Sequence, residues 1–351
     1  MILLTIFAFD WPMFRGNGQL TGYTNESVPV PTELLWSAKV TEGCESSAAI
    51  VAGTVYVGDL NGDLSAFRLS DGALVWNFES GAEIKSSPTV TDGLVVFGNE
   101  DGFLHAVNVD TGTLAWKYES EGGIVSSVNA MDGRLIFGSY DNRCYAVSKE
   151  GHALWQLETD GYVHATPALF GELAVFGGCD GLVHVVATQN GASEFSQPVG
   201  GYVAASTCIS GSIAVIPHFE NGVLALDLNT RKTLWSIDDG QFPFYASSAT
   251  NGEQVIIAGR DKQVRALNLI DGKPLWTYDA RAKVDASPVI AGDVVWIATT
   301  RGEIVALQLG NGSLVWSFQG GDGFVASPAV SEQRLVIGTH SGDILCFGAK
   351  P

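Results

Sequence analysis

Residues Ile84 to Tyr118, IKSSPTVTDGLVVFGNEDGFLHAVNVDTGTLAWKY, break at Asp92-Gly93, Asp101-Gly102 and Thr111-Gly112 into four short segments rich in β-branched and aromatic residues. Such segments read as strands, and Asp-Gly suits two-residue hairpins because the central positions take positive φ. The stretch predicts a four-stranded antiparallel meander. Its turns recur at Asn61-Gly62, Asp71-Gly72, Asp132-Gly133, Asp180-Gly181, Asn190-Gly191, Asn221-Gly222, Asn251-Gly252, Asp271-Gly272 and Asn311-Gly312.

An aromatic column sets the period. Trp36, Trp76, Trp116, Trp155, Trp235, Trp276 and Trp316 follow one another at steps of 40, 40, 39, 80, 41 and 40, with Phe195 at the midpoint of the double step. A period near 40 built from meanders predicts an all-β, eight-bladed β-propeller of four-stranded antiparallel blades. Two further columns accompany it. A hydroxyl stands early in every unit, at Ser47, Ser87, Ser127, Thr166, Ser206, Ser247, Ser287 and Ser327, and reads as a small residue suited to crowding at the axis. Nine or ten residues before most of the aromatics lies Ala66, Ala106, Ala146, Val185, Ala225, Ala266 or Ala306. These suggest that each large ring wedges against a small residue between blades. The last unit, from Phe324, stops after three strands, whereas Glu33 to Lys39 carries Trp36 with no unit before it. Pairing the two completes the last blade with an N-terminal strand and removes an open edge. The organisation read is an arm over 1–32 and a single propeller domain over 33–351.

Composition agrees. Of 351 residues, 46% are hydrophobic, 16% charged and 42 are glycine, too apolar for disorder and too turn-rich for a helical bundle. Nineteen Lys and Arg against 38 Asp and Glu leave a net charge of −19, which opposes nucleic acid and anionic membranes. The five cysteines, Cys44, Cys144, Cys179, Cys208 and Cys346, show no metal or redox spacing and read as buried thiols. Met1 to Phe9 is apolar, but has no basic n-region or cleavage site and is too short to span a membrane. It reads as a start short of a complete signal peptide, or as a segment packing on the domain.

The unit ending [D/N/T]-G-x-x-x-W, followed by a Ser-Ser-Pro or Ala-Ser-Pro strand, resembles the pyrroloquinoline-quinone-type propeller repeat over residues 33 to 350. Trp11-Pro12-Met13-Phe14-Arg15-Gly16 resembles the arm that precedes the closing strand in such propellers. The Trp-Asp dipeptide of another repeat class with a similar period is missing. The resemblance implies one of two functional branches. Quinoprotein dehydrogenases hold quinone and calcium on the axis, with long insertions, often a vicinal disulfide, and a tryptophan under the cofactor. The other branch resembles the outer-membrane assembly factor BamB and is a non-catalytic, periplasmic scaffold for protein partners.

The residues favour the second branch. Units of 39 to 41 residues leave no room for insertions, there is no Cys-Cys pair, and Trp11 alone is spare once Trp296 is placed mid-strand. No catalytic residue, metal site or cofactor is expected. The histidines lack ligand spacing, His164 and Cys179 lack a third ligand, Asp59 to Asp63 reads as a turn and not a calcium loop, and no G-x-S-x-G marks a nucleophile. Blade five replaces a recurrent glycine with Pro217, and the connection Asp238 to Pro243 is one residue longer than its neighbours. Both fall on the face where blades cross over. Tyr162, Tyr202, Phe219, Phe242 and Tyr245 are the expected aromatic anchors there, with His218, Glu220, Asp238 and Asp239 as a polar rim. The expected protein is a monomeric scaffold for a protein or peptide partner, and the resemblance implies a component of outer-membrane barrel assembly as that partner. The alternative is a quinone- and calcium-dependent dehydrogenase or a small-ligand receptor using the axial channel.

Overall fold

In the computed structural model, which describes residues 10–238 and 242–350, each β-branched run between glycine turns is a strand. Met1 to Phe9 and Asp239 therefore lie outside the described residues. Blade two shows the pattern: Thr89–Thr91, Leu94–Gly98, Phe103–Asn108 and Leu114–Glu119 pair in order as an antiparallel meander. Its second and third strands are buried on both faces because blades flank them, whereas its outer strand is more exposed. Eight such sheets form the propeller, with no helix among the described residues. Glu33–Lys39 pairs antiparallel with Asp343–Gly348, so the N-terminal strand completes blade eight and closes the ring.

The hydroxyl column does more than fit a crowded axis. The backbone N–H of Ser47 donates to Ser87 Oγ at 3.0 Å, Ser87 to Ser127 at 2.8 Å, Ser127 to Thr166 at 3.1 Å, and Thr166 to Ser206 at 2.9 Å. Ser206, Ser247 and Ser287 continue at 2.9, 3.0 and 2.9 Å, and Ser327 returns to Ser47 at 2.9 Å. Eight blades are thus stitched by a closed ring of eight hydrogen bonds, each contributing roughly 0.5–1.5 kcal/mol net.

A second seam runs at the rim. The indole N–H of Trp36, Trp76, Trp116, Trp155, Trp235 and Trp276 donates to a carbonyl of the next blade at 2.7–2.9 Å. Each of these indoles covers a positive-φ glycine in that blade's outer hairpin, where a Cβ would stand only 2.5–2.7 Å from the ring. The small partner across the blade boundary is therefore this glycine. The alanine column is instead the antiparallel neighbour within the same blade, as in Ala66 opposite Trp76. Trp316 faces blade eight, whose outer strand comes from the N-terminus and brings no such hairpin. It packs against Trp296, Phe318 and Phe347 with centroids 5.7–6.3 Å apart.

The arm circles inside the opposite end of the axis and touches every blade. Trp11 bridges Ile50, and Pro12, Gly18, Gln19, Thr21 and Gly22 offer carbonyls to the N–H groups of Val90, Leu169, Ile209, Thr250 and Ile290. Asn129 donates to Gly18, and the N–H of Gln333 to Glu26. Tyr23–Thr24 adds a parallel fifth strand to blade seven. Trp11 is buried in this layer over Gly16, away from the axial opening. Arg15 is fully buried and donates to the Ser248 carbonyl, and burial pushes its pKa down to about 10.

Phe195 tests the rim seam. Where its partner blade should carry glycine stands Arg231 (φ 59°), its guanidinium 4.7 Å from the phenyl centroid. The smaller ring leaves room for a Cβ. Phe195→Trp alone should lose about 1–3 kcal/mol by overpacking on Arg231. Phe195→Trp with Arg231→Gly should exceed the parent's stability in urea unfolding, whereas an additive double-mutant cycle would contradict the pairing.

Candidate functional site

Two positions before each ring hydroxyl, at the point where the chain crosses between blades, stands a second set of eight residues: Glu45, Lys85, Val125, His164, Ala204, Tyr245, Asp285 and Val325. Because alternate residues of an extended chain share a face, both sets point to the axis. Together they wall a chamber of about 420 Å³, with Phe14 of the arm at its floor and Glu100 and Tyr140 at its mouth. The lower tier is uniform and the upper tier varies from blade to blade.

Several upper-tier residues are held from the strand-two-to-three turns. Lys85 Nζ lies 2.8 Å from Glu100 and 2.9 Å from Glu83. Burial opposes its charge, but these two carboxylates prevail and raise its pKa. Tyr140 Oη meets His164 Nδ1 at 2.7 Å. Burial pushes the phenol up to about 12 and the imidazole down, so both are neutral near pH 7 and share one proton-bearing hydrogen bond. Arg260 grips Asp285 with two hydrogen bonds of 2.8 and 3.0 Å and lies 3.6 Å over the Tyr245 ring. Glu45 has no partner among the described residues.

The aromatic groups expected on this face fall into two clusters beside the chamber. Tyr162 stacks on Tyr140 at 5.1 Å, and Phe219 meets Tyr245 edge-on at 4.6 Å while its N–H donates to the Tyr202 carbonyl. Tyr162, Tyr202 and Phe242 are 52%, 60% and 46% exposed, and Glu220 and Asp238 are exposed beside them. His218 differs from expectation. The second strand of blade five, Ile213–His218, runs one residue further than most of its counterparts and pairs His218 with Gly222, which buries the ring.

The chamber's upper tier escaped sequence reading because its members share no residue type, although their fixed offset from the hydroxyl column would have located them. Sequence reasoning also missed a Ser-His-Asp contact: Ser196 Oγ lies 3.2 Å from His184 Nδ1, and His184 Nε2 lies 2.8 Å from Asp180. It joins the third strand of blade four to its turn and to the outer strand, outside the chamber lining, and blades three and six repeat the tether as Tyr145–Asp141 and Arg265–Asp261. The recurrence identifies it as a fastening of the third strand to its turn.

Of the three carboxylates lining the chamber, only Glu45 is free to hold a cation. Glu100 and Asp285 are already paired with Lys85 and Arg260, and no three His, Cys, Asp or Glu side chains converge among the described residues. The five cysteines are free. Asp59 accepts the N–H groups of Asn61 and Asp63 as a turn residue.

An eight-bladed ring of these repeats, closed by its N-terminal strand, defines a propeller of the pyrroloquinoline-quinone-repeat class. The family model described as outer membrane protein assembly factor BamB matches residues 28–128, 96–215 and 220–350, and the chain belongs to that family. Among solved structures it is similar to BamB from Moraxella catarrhalis at 19% identity, covering 91% of this chain and 98% of that one with a TM-score of 0.79. A europium-containing methanol dehydrogenase aligns at 12% identity, with 98% of both chains covered and a TM-score of 0.84. The computationally designed Ika8 protein aligns at 17% identity, covering 90% of this chain and 100% of that one with a TM-score of 0.82. At these identities the structures share the fold. No curated protein matches the chain.

Buried histidines make stability pH-dependent. Burial, with help from Lys117, pushes His105 down to about 4 as it stacks on Phe97, and burial also lowers His164 and His218. The unfolded chain takes up these protons near pH 6.5 and the folded one does not, so stability is full above that pH and falls as the pH drops towards 4. The melting temperature should decline from pH 7.5 to 5, and less steeply in His105→Leu. An identical slope in the variant would refute this assignment.

Proposed function

We propose that this protein is a non-catalytic, extracytoplasmic scaffold that binds a protein or peptide partner through its crossing face, in a role like that of BamB in outer-membrane protein assembly. The observation that carries the reading is the exposed aromatic set Tyr162, Tyr202 and Phe242 beside the acidic Glu220 and Asp238. Aromatic anchors within a polar rim are the composition of interaction surfaces. The anchors are backed by fixed contacts: Tyr140 stacks under Tyr162, and Arg260 and Phe219 hold Tyr245. Pro243 restricts the connection entering blade six and reduces the entropy lost on binding. The net charge of −19 selects a basic or amphipathic segment and accelerates its encounter at low salt. Among the described residues no helix is long and apolar enough to cross a membrane. Against the dehydrogenase alternative, two of the three chamber carboxylates, Glu100 and Asp285, are engaged in ion pairs.

The test uses the periplasmic portion of an outer-membrane barrel-assembly component from the same cell. Phe219→Ala with Phe242→Ala should weaken its binding at least about tenfold, equivalent to ~1.4 kcal/mol, without lowering the melting temperature by more than a few degrees. Association should slow as salt rises. Unchanged affinity would remove the site from this face, and alcohol turnover after addition of quinone and calcium would overturn the non-catalytic assignment.

A further inference from the structure

The axial chamber has a hydrogen-bonding capacity that the protein itself leaves unused. Each of the eight ring hydroxyls accepts one backbone N–H, and none donates to a protein acceptor among the described residues. Every ring residue is only 3–5% exposed and lines the chamber. A hydroxyl that accepts one hydrogen bond retains one O–H donor and one lone pair. The N–H also polarises the group, which makes its O–H a better donor. The lower tier therefore presents eight donor–acceptor pairs in a buried wall, where an unmade hydrogen bond is expensive.

The charge above that tier discriminates between occupants. Asp285 is paired with Arg260 and Glu100 shares Lys85 with Glu83, which leaves the Glu45 carboxylate without a cationic partner. An anion would accept from the hydroxyls but would meet Glu45. A cation would pair with Glu45 but offer the eight O–H groups no acceptor. A ligand whose own groups both donate and accept satisfies both tiers, and hydroxyl groups on a neutral carbon frame do so. Phe14, Tyr140 and Tyr245 add ring surfaces against which the C–H faces of such a frame can pack. The volume of about 420 Å³ falls within the range of roughly 300–1,000 Å³ usual for small-molecule sites.

We propose that the axial chamber is a binding site for a small neutral polyol, a mono- or disaccharide, received by the eight-hydroxyl ring and selected by the variable tier above it. The site adjoins the partner surface and shares Tyr245 with it, but the two differ in the chemistry of their ligands. Saccharide binding here involves no net charge and is insensitive to salt, whereas binding of a basic segment on the crossing face weakens with salt.

Isothermal titration calorimetry of the full chain with glucose, galactose, N-acetylglucosamine, maltose and lactose tests this, with sodium acetate and spermidine as charged controls. At least one saccharide should bind 1:1 at millimolar affinity or tighter, with Kd unchanged within twofold between 50 and 500 mM salt, estimates that follow from the neutral ligand class. Ser47→Thr, Ser127→Thr, Ser206→Thr and Ser287→Thr together keep the oxygen that accepts each N–H, as Thr166 already does, while placing methyl groups around the chamber. This variant should fold and bind the saccharide at least about tenfold more weakly. Ala204→Leu, which removes no hydrogen bond, should weaken it in the same direction. The proposal is overturned if no saccharide in the set binds, if acetate or spermidine binds in their place, or if the narrowed chambers retain the parent affinity.

Discussion

The closed ring of eight N–H to hydroxyl hydrogen bonds is the constraint on which the rest of this molecule depends. A propeller has no continuous sheet around its axis, so blades must be joined through side chains or cross-blade backbone contacts. Here one serine or threonine per blade does this at a single level, and the bond from Ser327 to Ser47 spans the chain's beginning and end. That bond requires blade eight to stand beside blade one, which in turn requires Glu33–Lys39 to complete blade eight. The arm adds a second closure by offering carbonyls to the innermost strands in succession.

Rim and axis divide the work. At the rim, indole against glycine sets the distance between neighbouring blades, and the one place where the indole is lost has also lost the glycine. At the axis, the hydroxyls fix the inner radius and leave their own protons facing a chamber. Because both seams are regular, the crossings and turns on one face can vary without disturbing them. The variable chemistry around the chamber lies on those segments: the Lys85–Glu100 and Arg260–Asp285 ion pairs, the Tyr140–His164 hydrogen bond, and the exposed tyrosines. A rigid frame with one adaptable face serves binding, and the fold alone leaves its chemistry open, since the same fold is found in BamB, in a methanol dehydrogenase and in a designed protein.

The architecture was legible because it rests on local rules. Asp-Gly turns, alternating strands and the tryptophan period each specify part of a blade, and the unfinished last unit with its stray Trp36 specifies closure. The chemistry of the hydroxyl column was not legible: that Ser87 accepts the Ser47 N–H depends on the spacing of two blades, which no single repeat contains. The upper tier was hidden by its variety, since Glu45, Lys85, Val125 and Tyr245 form a set only once the column below them is recognised as a ring. His218 looked like a loop residue beside a proline, but the cross-strand ladder runs through Pro217 and takes the histidine inside.

Amide hydrogen exchange at the eight ring positions tests the central claim most directly. If the ring is a single closed structure, the N–H groups of Ser47, Ser87, Ser127, Thr166, Ser206, Ser247, Ser287 and Ser327 exchange together at the rate of global unfolding, Ser327 included. Exchange at Ser327 and its neighbours several orders of magnitude faster than at Ser127 and Thr166 would show that the first and last blades part independently, and would contradict the closed ring.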